Sequence, residues 1–218
     1  MMPRPTLRGL QLLDSRLFES TGQYGESTVR EIAPATGGIL RKRPLAKSVF
    51  GEGLTVIGKE IWVLTWKENT AYVLERDTFK PIRSHTYPGE GWGLTSDGKQ
   101  LVMSDGSSTL KFINPKDFSV IKTLEVKDGN SPVSSLNELE WVDGQIFANI
   151  YLTHKIARIS PEDGRVTGWL DLAGLKNQLS PSDRAEVLNG IAWDPATGHL
   201  LVTGKYWPQM FEIKLTKK

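Results

Sequence analysis

The sequence predicts an all-β fold, a five-bladed β-propeller with four-stranded antiparallel blades. Helical periodicity is nearly absent, and short runs of β-branched and aromatic residues alternate with turn signals such as Asp143-Gly144. A polar residue, an apolar strand, a turn and a second apolar strand recur together five times. These units open with RGLQLLDS from Arg8, EGLTVIGK from Glu52, EGWGLTSDG from Glu90, NELEWVDG from Asn137 and NGIAWDPATG from Asn189.

A third strand follows each opening, and in four units a fourth strand follows the third. The openings are 44, 38, 47 and 52 residues apart, which is the spacing of propeller blades. We therefore predict that residues 1–218 form a single propeller domain. The last unit stops after its third strand near Leu215, so we expect an incomplete last blade. Only seven residues precede Arg8, so we expect either a loosely closed ring or a truncated N-terminus.

The composition is that of a globular protein, with 39% hydrophobic and 24% charged residues and a net charge of +2. Cysteine is absent, which excludes disulfides and cysteine-ligated metals. No apolar run of 18 residues exists, so no membrane span is expected. The basic run LRKRPLAK (40–47) has no interleaved aromatic residues, so we interpret it as a solvated strand end rather than a nucleic-acid surface.

In a propeller the first strand of each blade lines the central channel, so equivalent positions of the five openings converge at one mouth. This would bring the five opening residues named above close together. Trp66, Trp92, Tyr151 and Trp207 are predicted near the same mouth, which indicates a small-ligand pocket with aromatic walls. The alternative is a polar channel that binds only water. The remaining tryptophans are interpreted as core: Trp62, Trp141, Trp169 and Trp193.

Several motifs along nearly the whole chain resemble the plant-type glutaminyl cyclases, which also occur in bacteria and are five-bladed propellers. Each motif alone is weak, but their order and spacing together are specific. They are FESTGQYGES (18–27), FGEGL with LTW (50–66), GEGWGL (89–94), SDGS (104–107), LNELEW (136–141), ANIY (148–151) and LNGIAWD with VTGKYWP (188–208).

The resemblance implies an intramolecular acyl transfer at an N-terminal glutamine of a peptide or protein. The α-amine attacks the side-chain carbonyl, ammonia leaves, and a pyroglutamyl peptide remains. This chemistry needs a carboxylate that moves a proton, donors to the developing oxyanion, and walls that fold the side chain into a ring-like pose. The resemblance implies neither a metal nor another cofactor, and it suggests a monomer that is periplasmic or secreted. The start MMPRPTLRGL lacks a signal-peptide core, so a genuine leaderless start would indicate the cytoplasm.

The resemblance also implies roles for individual residues. Glu52 matches the catalytic carboxylate, and its neighbouring glycines are expected to clear space at the channel mouth. Lys205 matches a lysine near the reacting amide. The implied substrate-binding residues are Phe50, Trp66, Trp92, Asn137, Tyr151, Arg8 and Trp207.

Three features depart from the family pattern. The first blade usually opens Phe-Thr-Gln-Gly-Leu, whereas this chain has Thr6 and Arg8 in place of the phenylalanine and the glutamine. Arg8 is a permanent cation that would either repel an ammonium substrate or pair with Glu52. Tyr151 replaces a tryptophan of the fourth blade, and the usual segment before the first blade is missing.

Two other functions fit the same pattern. A propeller lactonase would use Glu52, Asn137 and Asn189 as oxygen ligands for a hard cation, although such enzymes generally have six blades. A catalytically weak or inactive propeller that binds peptides would be favoured by a pocket in which Arg8 and Glu52 pair.

Overall fold

A computed structural model of the protein describes residues 6–180 and 185–216. Five antiparallel sheets form the blades, with neighbouring strands in sequence order, and a two-stranded hairpin forms a sixth sheet. The predicted five-bladed β-propeller is therefore confirmed. In the part of the chain that is described, four blades have four strands and the fifth has three, as the sequence predicted. No helix in these ranges is long and apolar enough to cross a membrane.

The first three blades run from Thr6 to Glu125. Blade 1 comprises β1 (Thr6–Leu13), β2 (Arg16–Gly22), β3 (Thr28–Ile32) and β4 (Ile39–Pro44); blade 2 comprises β5 (Gly51–Ile57), β6 (Glu60–Thr65), β7 (Thr70–Glu75) and β8 (Pro81–Thr86); blade 3 comprises β9 (Leu94–Ser96), β10 (Leu101–Met103), β11 (Thr109–Ile113) and β12 (Val120–Glu125).

A small hairpin separates blade 3 from blade 4, and a one-turn helix follows blade 4. The hairpin comprises β13 (Lys127–Asp128) and β14 (Ser131–Pro132); blade 4 comprises β15 (Leu136–Val142), β16 (Gln145–Ile150), β17 (Lys155–Ile159) and β18 (Val166–Asp171); the helix is α1 (Ala173–Lys176); blade 5 comprises β19 (Leu188–Asp194), β20 (His199–Gly204) and β21 (Phe211–Lys214).

The hydrophobic core is divided into five clusters, each between two neighbouring blades. The cluster between blades 2 and 3, for example, contains Trp62, Leu101 and Phe118. The inner strands are almost entirely buried, whereas the outer strands β4, β8 and β12 are mostly exposed. This gradient follows from the ring geometry, because an inner strand has a blade on each side and the axis in front of it. Burying these faces supplies the main force that holds the blades together.

The inner strands approach one another closely at glycines. A Cβ on Gly53 would lie 2.5 Å from the backbone nitrogen of Leu94, and one on Gly93 would lie 1.9 Å from the carbonyl oxygen of Asn137. Gly9 and Gly190 occupy the same position in blades 1 and 5 and face blades 2 and 1. The glycines of the openings are therefore required by the packing of blade against blade, whereas the sequence predicted that those beside Glu52 clear space at the channel mouth.

Blade 4 has a glutamate at the position where the other four blades have glycine. Glu138 is 1% exposed, and its carboxylate accepts the backbone N–H of Leu10 at 3.2 Å and that of Ile191 at 2.9 Å. It thereby joins blade 4 to blades 1 and 5. Asn189 adds a second contact, since its Nδ2 donates to the carbonyl oxygen of Leu7 at 3.1 Å. The ring is thus closed through its innermost strands.

The tryptophans interpreted as core divide into two groups. Trp62 is fully buried, and Trp141 and Trp193 pack at the edges of the core clusters. The interpretation of Trp169 is wrong, because this residue lies on the outer strand β18 and is 40% exposed. Its indole N–H donates to Asp128 at 3.0 Å, so a surface contact holds the ring.

Candidate active site

A cavity of about 200 Å³ lies at one mouth of the channel. The first residues of the inner strands and the residues that follow β6 and β16 surround it. The register of the strands brings these residues together. In blade 2, for example, Gly51 at the start of β5 pairs with Thr65 at the end of β6. Seven residues line the cavity: Arg8, Phe50, Glu52, Trp66, Trp92, Asn137 and Tyr151.

Glu52 is the buried carboxylate of this cavity, with 3% of the residue exposed. Its backbone is fixed, because the carbonyl oxygen accepts the hydroxyl of Ser20 at 2.5 Å. Burial raises the pKa of Glu52 above its ordinary value, while the nearby cations Arg8 and Lys205 oppose that rise. A carboxyl group in this balance can exchange a proton near neutral pH.

Arg8 forms an ion pair with Glu52, with 3.1 Å between Nη1 and Oε1. Its guanidinium lies 4.7 Å from the centre of the Phe50 ring, in a cation–π contact. Nε of Arg8 is buried and has no hydrogen-bond partner among the described residues. Gly22 makes room for both neighbours, since a Cβ there would lie 2.2 Å from the Phe50 ring and 2.9 Å from Nε. The pair forms part of the cavity wall and leaves the cavity open beside it.

Two aromatic pairs form the walls. Phe50 and Trp66 meet edge to face at 5.6 Å, and Trp92 and Tyr151 do so at 5.5 Å. The SDGS motif contributes Gly106, which has a φ of +84° and lies against the indole of Trp92. A Cβ at this position would lie 2.8 Å from that ring, so the glycine is needed to seat the wall.

A single carboxylate oxygen holds both indoles. Oε2 of Glu90 accepts the indole N–H of Trp66 at 2.8 Å and that of Trp92 at 2.9 Å. The sequence placed Glu90 at the channel mouth but gave it no role. The structure shows that Trp92, not Glu90, occupies the position of blade 3 that corresponds to Glu52 of blade 2, because Trp92 precedes Gly93 as Glu52 precedes Gly53.

Lys205 lies behind the wall formed by Tyr151. The residue is 4% exposed, and its ammonium is 4.8 Å from the centre of the tyrosine ring. Burial lowers the pKa of Lys205, and the charge of Arg8 lowers it further, whereas Glu52 raises it. The site thus brings one carboxylate and two cations together, with little contact with solvent.

Comparison with known proteins decides the relationship that the motifs suggested. The model of the glutamine cyclotransferase family matches residues 5–215. The chain belongs to this family. It is 41% identical over 204 residues to a glutaminyl-peptide cyclotransferase of Arabidopsis thaliana, a match that covers 91% of this chain and 63% of the plant protein.

Solved structures give the same relationship. The glutaminyl cyclase of Myxococcus xanthus superposes with a TM-score of 0.90 at 33% identity, over 96% of this chain and 90% of that one. The hydrazine synthase of Kuenenia stuttgartiensis matches with a TM-score of 0.55 at 14% identity, over 93% of this chain and 56% of that chain. The second likeness is one of fold alone.

Besides Glu90, two of the residues predicted at the mouth, Asn189 and Trp207, lie away from the cavity. Asn189 is turned into its contact with Leu7 between blades. Trp207 is absent from the cavity wall, because its indole N–H donates to the carbonyl oxygen of Glu186 at 3.0 Å and its ring packs against Phe211. Trp207 therefore does not belong to the wall of this cavity as predicted, and it lines a separate cavity of about 410 Å³ between blades 1 and 5.

The described residues contain no cluster of three or more histidine, aspartate and glutamate side chains that could hold a metal ion. Asp105 of the SDGS motif turns the chain. Its carboxylate accepts the backbone N–H of Ser107 at 3.1 Å and pairs with Lys111 at 2.8 Å. Of the acidic groups near the mouth, Glu52 is the one that lines the cavity.

Proposed function

We propose that this chain is a glutaminyl-peptide cyclotransferase that converts the N-terminal glutamine of peptides or proteins to pyroglutamate and releases ammonia. The observation that carries the proposal is the buried Glu52 at the base of an aromatic cavity, with two cations beside it. The family, the plant relative and the Myxococcus glutaminyl cyclase support this activity. The chain spans about 63% of the length of the plant relative, so the activity of that whole protein is assigned here as a proposal.

The volume of the cavity supports a substrate that inserts one side chain. About 200 Å³ is below the range of roughly 300–1,000 Å³ that drug-sized ligands occupy. The site would thus admit the terminal residue and leave the rest of the peptide outside. The aromatic walls would fold the glutamine side chain, which brings its amine and its γ-carbonyl carbon together.

The reaction is an internal displacement that Glu52 would serve twice. The carboxylate takes a proton from the α-amine as its nitrogen attacks the γ-carbonyl carbon. The C–N bond of the amide then breaks, and the same carboxyl group returns the proton to the departing nitrogen, which leaves as ammonia. Arg8 lines the cavity and is the cation available to stabilise negative charge on the γ-carbonyl oxygen in the tetrahedral intermediate, while Lys205 behind Tyr151 adds positive charge to the surroundings.

Ammonia release from a glutamine-initiated dipeptide tests the proposal, with Glu52→Gln and Arg8→Gln run beside the parent chain. We expect the parent to be active and Glu52→Gln to be inactive. In Arg8→Gln we expect the acidic limb of the pH profile of kcat/KM to move to higher pH, because Arg8 lowers the pKa of Glu52. A dipeptide that begins with asparagine is the control, since its shorter side chain cannot close the five-membered ring.

The ion pair between Arg8 and Glu52 favours a second candidate, a propeller that binds peptides without turnover. In that case the pair would hold Glu52 permanently ionised and occupied. An inert parent with an active Arg8→Gln variant would show that the pair disables an otherwise complete site. Inactivity of the parent and both variants, with retained binding of the dipeptide, would favour the binding protein.

We also propose that the chain acts as a monomer and folds as one propeller domain. The family match over residues 5–215 supports a single domain. The expected result is one species of about 24.3 kDa in light scattering and one cooperative unfolding transition.

A further inference from the structure

Glu90 connects two walls of the cavity that belong to different blades. Trp66 follows the second strand of blade 2, and Trp92 precedes the first strand of blade 3. The same carboxylate oxygen accepts both indole N–H groups, at 2.8 and 2.9 Å. An indole has one donor and no acceptor, so a carboxylate between two indoles satisfies both of them at once.

The indoles in turn contact the rest of the site. Trp66 meets Phe50, which lies under the guanidinium of Arg8, and Trp92 meets Tyr151, which lies over Lys205. A shift of Trp66 would therefore move the surroundings of Arg8, and a shift of Trp92 those of Lys205. Glu90 does not itself line the cavity.

The backbone around Glu90 is fixed on both sides. Gly89 has a φ of +85°, and its carbonyl oxygen accepts Nδ2 of Asn69 at 2.6 Å. Gly91 lies against Tyr87, where a Cβ would come within 2.3 Å of the phenolic oxygen. The second carboxylate oxygen of Glu90 is 3.9 Å from the ammonium of Lys67. Contacts of the neighbouring backbone and the ion pair with Lys67 thus fix Glu90 in place while its other carboxylate oxygen binds the two indoles.

We propose that Glu90 is a positioning residue of the cyclisation reaction, which acts by clamping Trp66 and Trp92 at the spacing that folds the glutamine side chain. This inference rests on the proposed function. It predicts a stronger effect on the chemical step than on substrate binding, because loose walls still bind a flexible side chain but present fewer molecules in the reactive pose.

Two variants separate the clamp from the charge. Glu90→Ala removes the acceptor for both indoles. Glu90→Gln removes the negative charge but keeps an amide oxygen, which can accept two N–H groups as the carboxylate oxygen does. Glu125→Gln is the matched control, since Glu125 lies on the outer strand β12 of blade 3 and its carboxylate pairs with Lys127 at the surface, at 2.7 Å.

The measurements are kcat and KM for a glutamine-initiated dipeptide, together with the ¹H–¹⁵N resonances of the indole groups. Trp66→Phe and Trp92→Phe assign those two resonances. We expect Glu90→Ala to lower kcat by about ten- to a hundredfold with a smaller change in KM, and to shift both resonances. Glu90→Gln should retain most of kcat and both hydrogen-bonded resonances, and Glu125→Gln should match the parent.

Three results would overturn the inference. A Glu90→Gln variant as slow as Glu90→Ala would show that the charge acts and not the clamp. Unshifted indole resonances in Glu90→Ala would show that the two hydrogen bonds do not hold the rings, and this readout needs no turnover. A parent without turnover would overturn the proposed function and the catalytic part of the inference with it, whatever the resonances show.

Discussion

Two buried glutamates on inner strands, Glu52 of β5 and Glu138 of β15, differ in what their carboxylates contact. They are 3% and 1% exposed, and burial raises the pKa of both. Glu138 accepts one backbone N–H from blade 1 and one from blade 5, so both of its oxygens are bound within the ring. Glu52 pairs with a cation and lines the cavity.

The difference shows that burial and a raised pKa do not by themselves identify a catalytic acid. Both features occur wherever a carboxylate is taken out of water. Of the two, only Glu52 lines a cavity that can hold a ligand, whereas both carboxylate oxygens of Glu138 accept hydrogen bonds that hold three blades together. The comparison therefore separates an acid that can exchange a proton with a substrate from one that serves the fold.

The largest effect is expected when the comparison is tested at Glu52. Glu52→Gln should lower kcat/KM by about 10²- to 10⁴-fold, the usual contribution of general acid–base catalysis. Its free energy of unfolding should change little, because the relief of a buried carboxylate offsets the loss of the ion pair with Arg8. Steady-state kinetics and urea unfolding of the same preparation measure the two quantities.

At Glu138 the expected effect lies on stability. Glu138→Ala leaves the backbone N–H groups of Leu10 and Ile191 without their acceptor, at about 1–3 kcal/mol each. Urea unfolding should therefore show a loss of several kcal/mol, while the folded fraction keeps its turnover. A Glu138→Ala variant that is as stable as the parent but inactive would contradict the assignment of Glu138 to the fold and of Glu52 to catalysis.

Glu140, two residues further along β15 than Glu138, is a third buried glutamate, and it can be compared with the other two through the pH dependence of stability. Burial raises the pKa of Glu140 from 4.5 to about 8, so between these values the folded state binds a proton that the unfolded state releases. Glu140 alone then makes the free energy of unfolding fall as pH rises through this window, by at most about 1.4 kcal/mol per pH unit, in addition to the contributions of Glu52 and Glu138, whose pKa values burial also raises.

Glu140→Gln should flatten that slope, since the amide does not titrate. Urea unfolding of parent and variant at pH 5, 6, 7 and 8 measures it. Equal slopes in the two proteins would show that Glu140 stays ionised in the fold across this range.

The smallest effect is expected at Trp207, which the structure places outside the cavity. Trp207→Phe should leave kcat/KM unchanged and cost about 1 kcal/mol of stability, because the hydrogen bond to the carbonyl oxygen of Glu186 is lost. Trp66→Phe is the matched control within the cavity wall. A decrease of kcat/KM in Trp207→Phe as large as in Trp66→Phe would return Trp207 to the site.

The sequence was sufficient to predict the ring and most of the cavity wall. The number of repeated sequence units gives the number of blades, and equivalent positions of the units must lie near one another at one mouth of the central channel. Arg8, Glu52 and Asn137 were therefore predictable from their place in the repeat, without knowledge of any contact. The aromatic residues Trp66 and Tyr151 were predictable in the same way, from their place after second strands.

Residues outside the repeated positions were harder to place. Trp207 follows a turn at Tyr206, whose φ of +59° redirects the chain after β20, and no pattern in the sequence shows where such a turn points. Trp169 lies on an outer strand, where both faces are partly solvated. The role of Glu90 depends on hydrogen bonds between two blades, which requires coordinates.

Glu138 stands in blade 4 at the position where the other four blades have glycine, and this difference limits how similar the five repeats can become. Five copies with glycine would leave two backbone N–H groups at the axis without an acceptor. Five copies with glutamate would force five carboxylates into the space that one now fills. A gene assembled by duplicating one ancestral blade would therefore need a divergent copy at this place, and blade 4 is the copy that could not be exchanged for another.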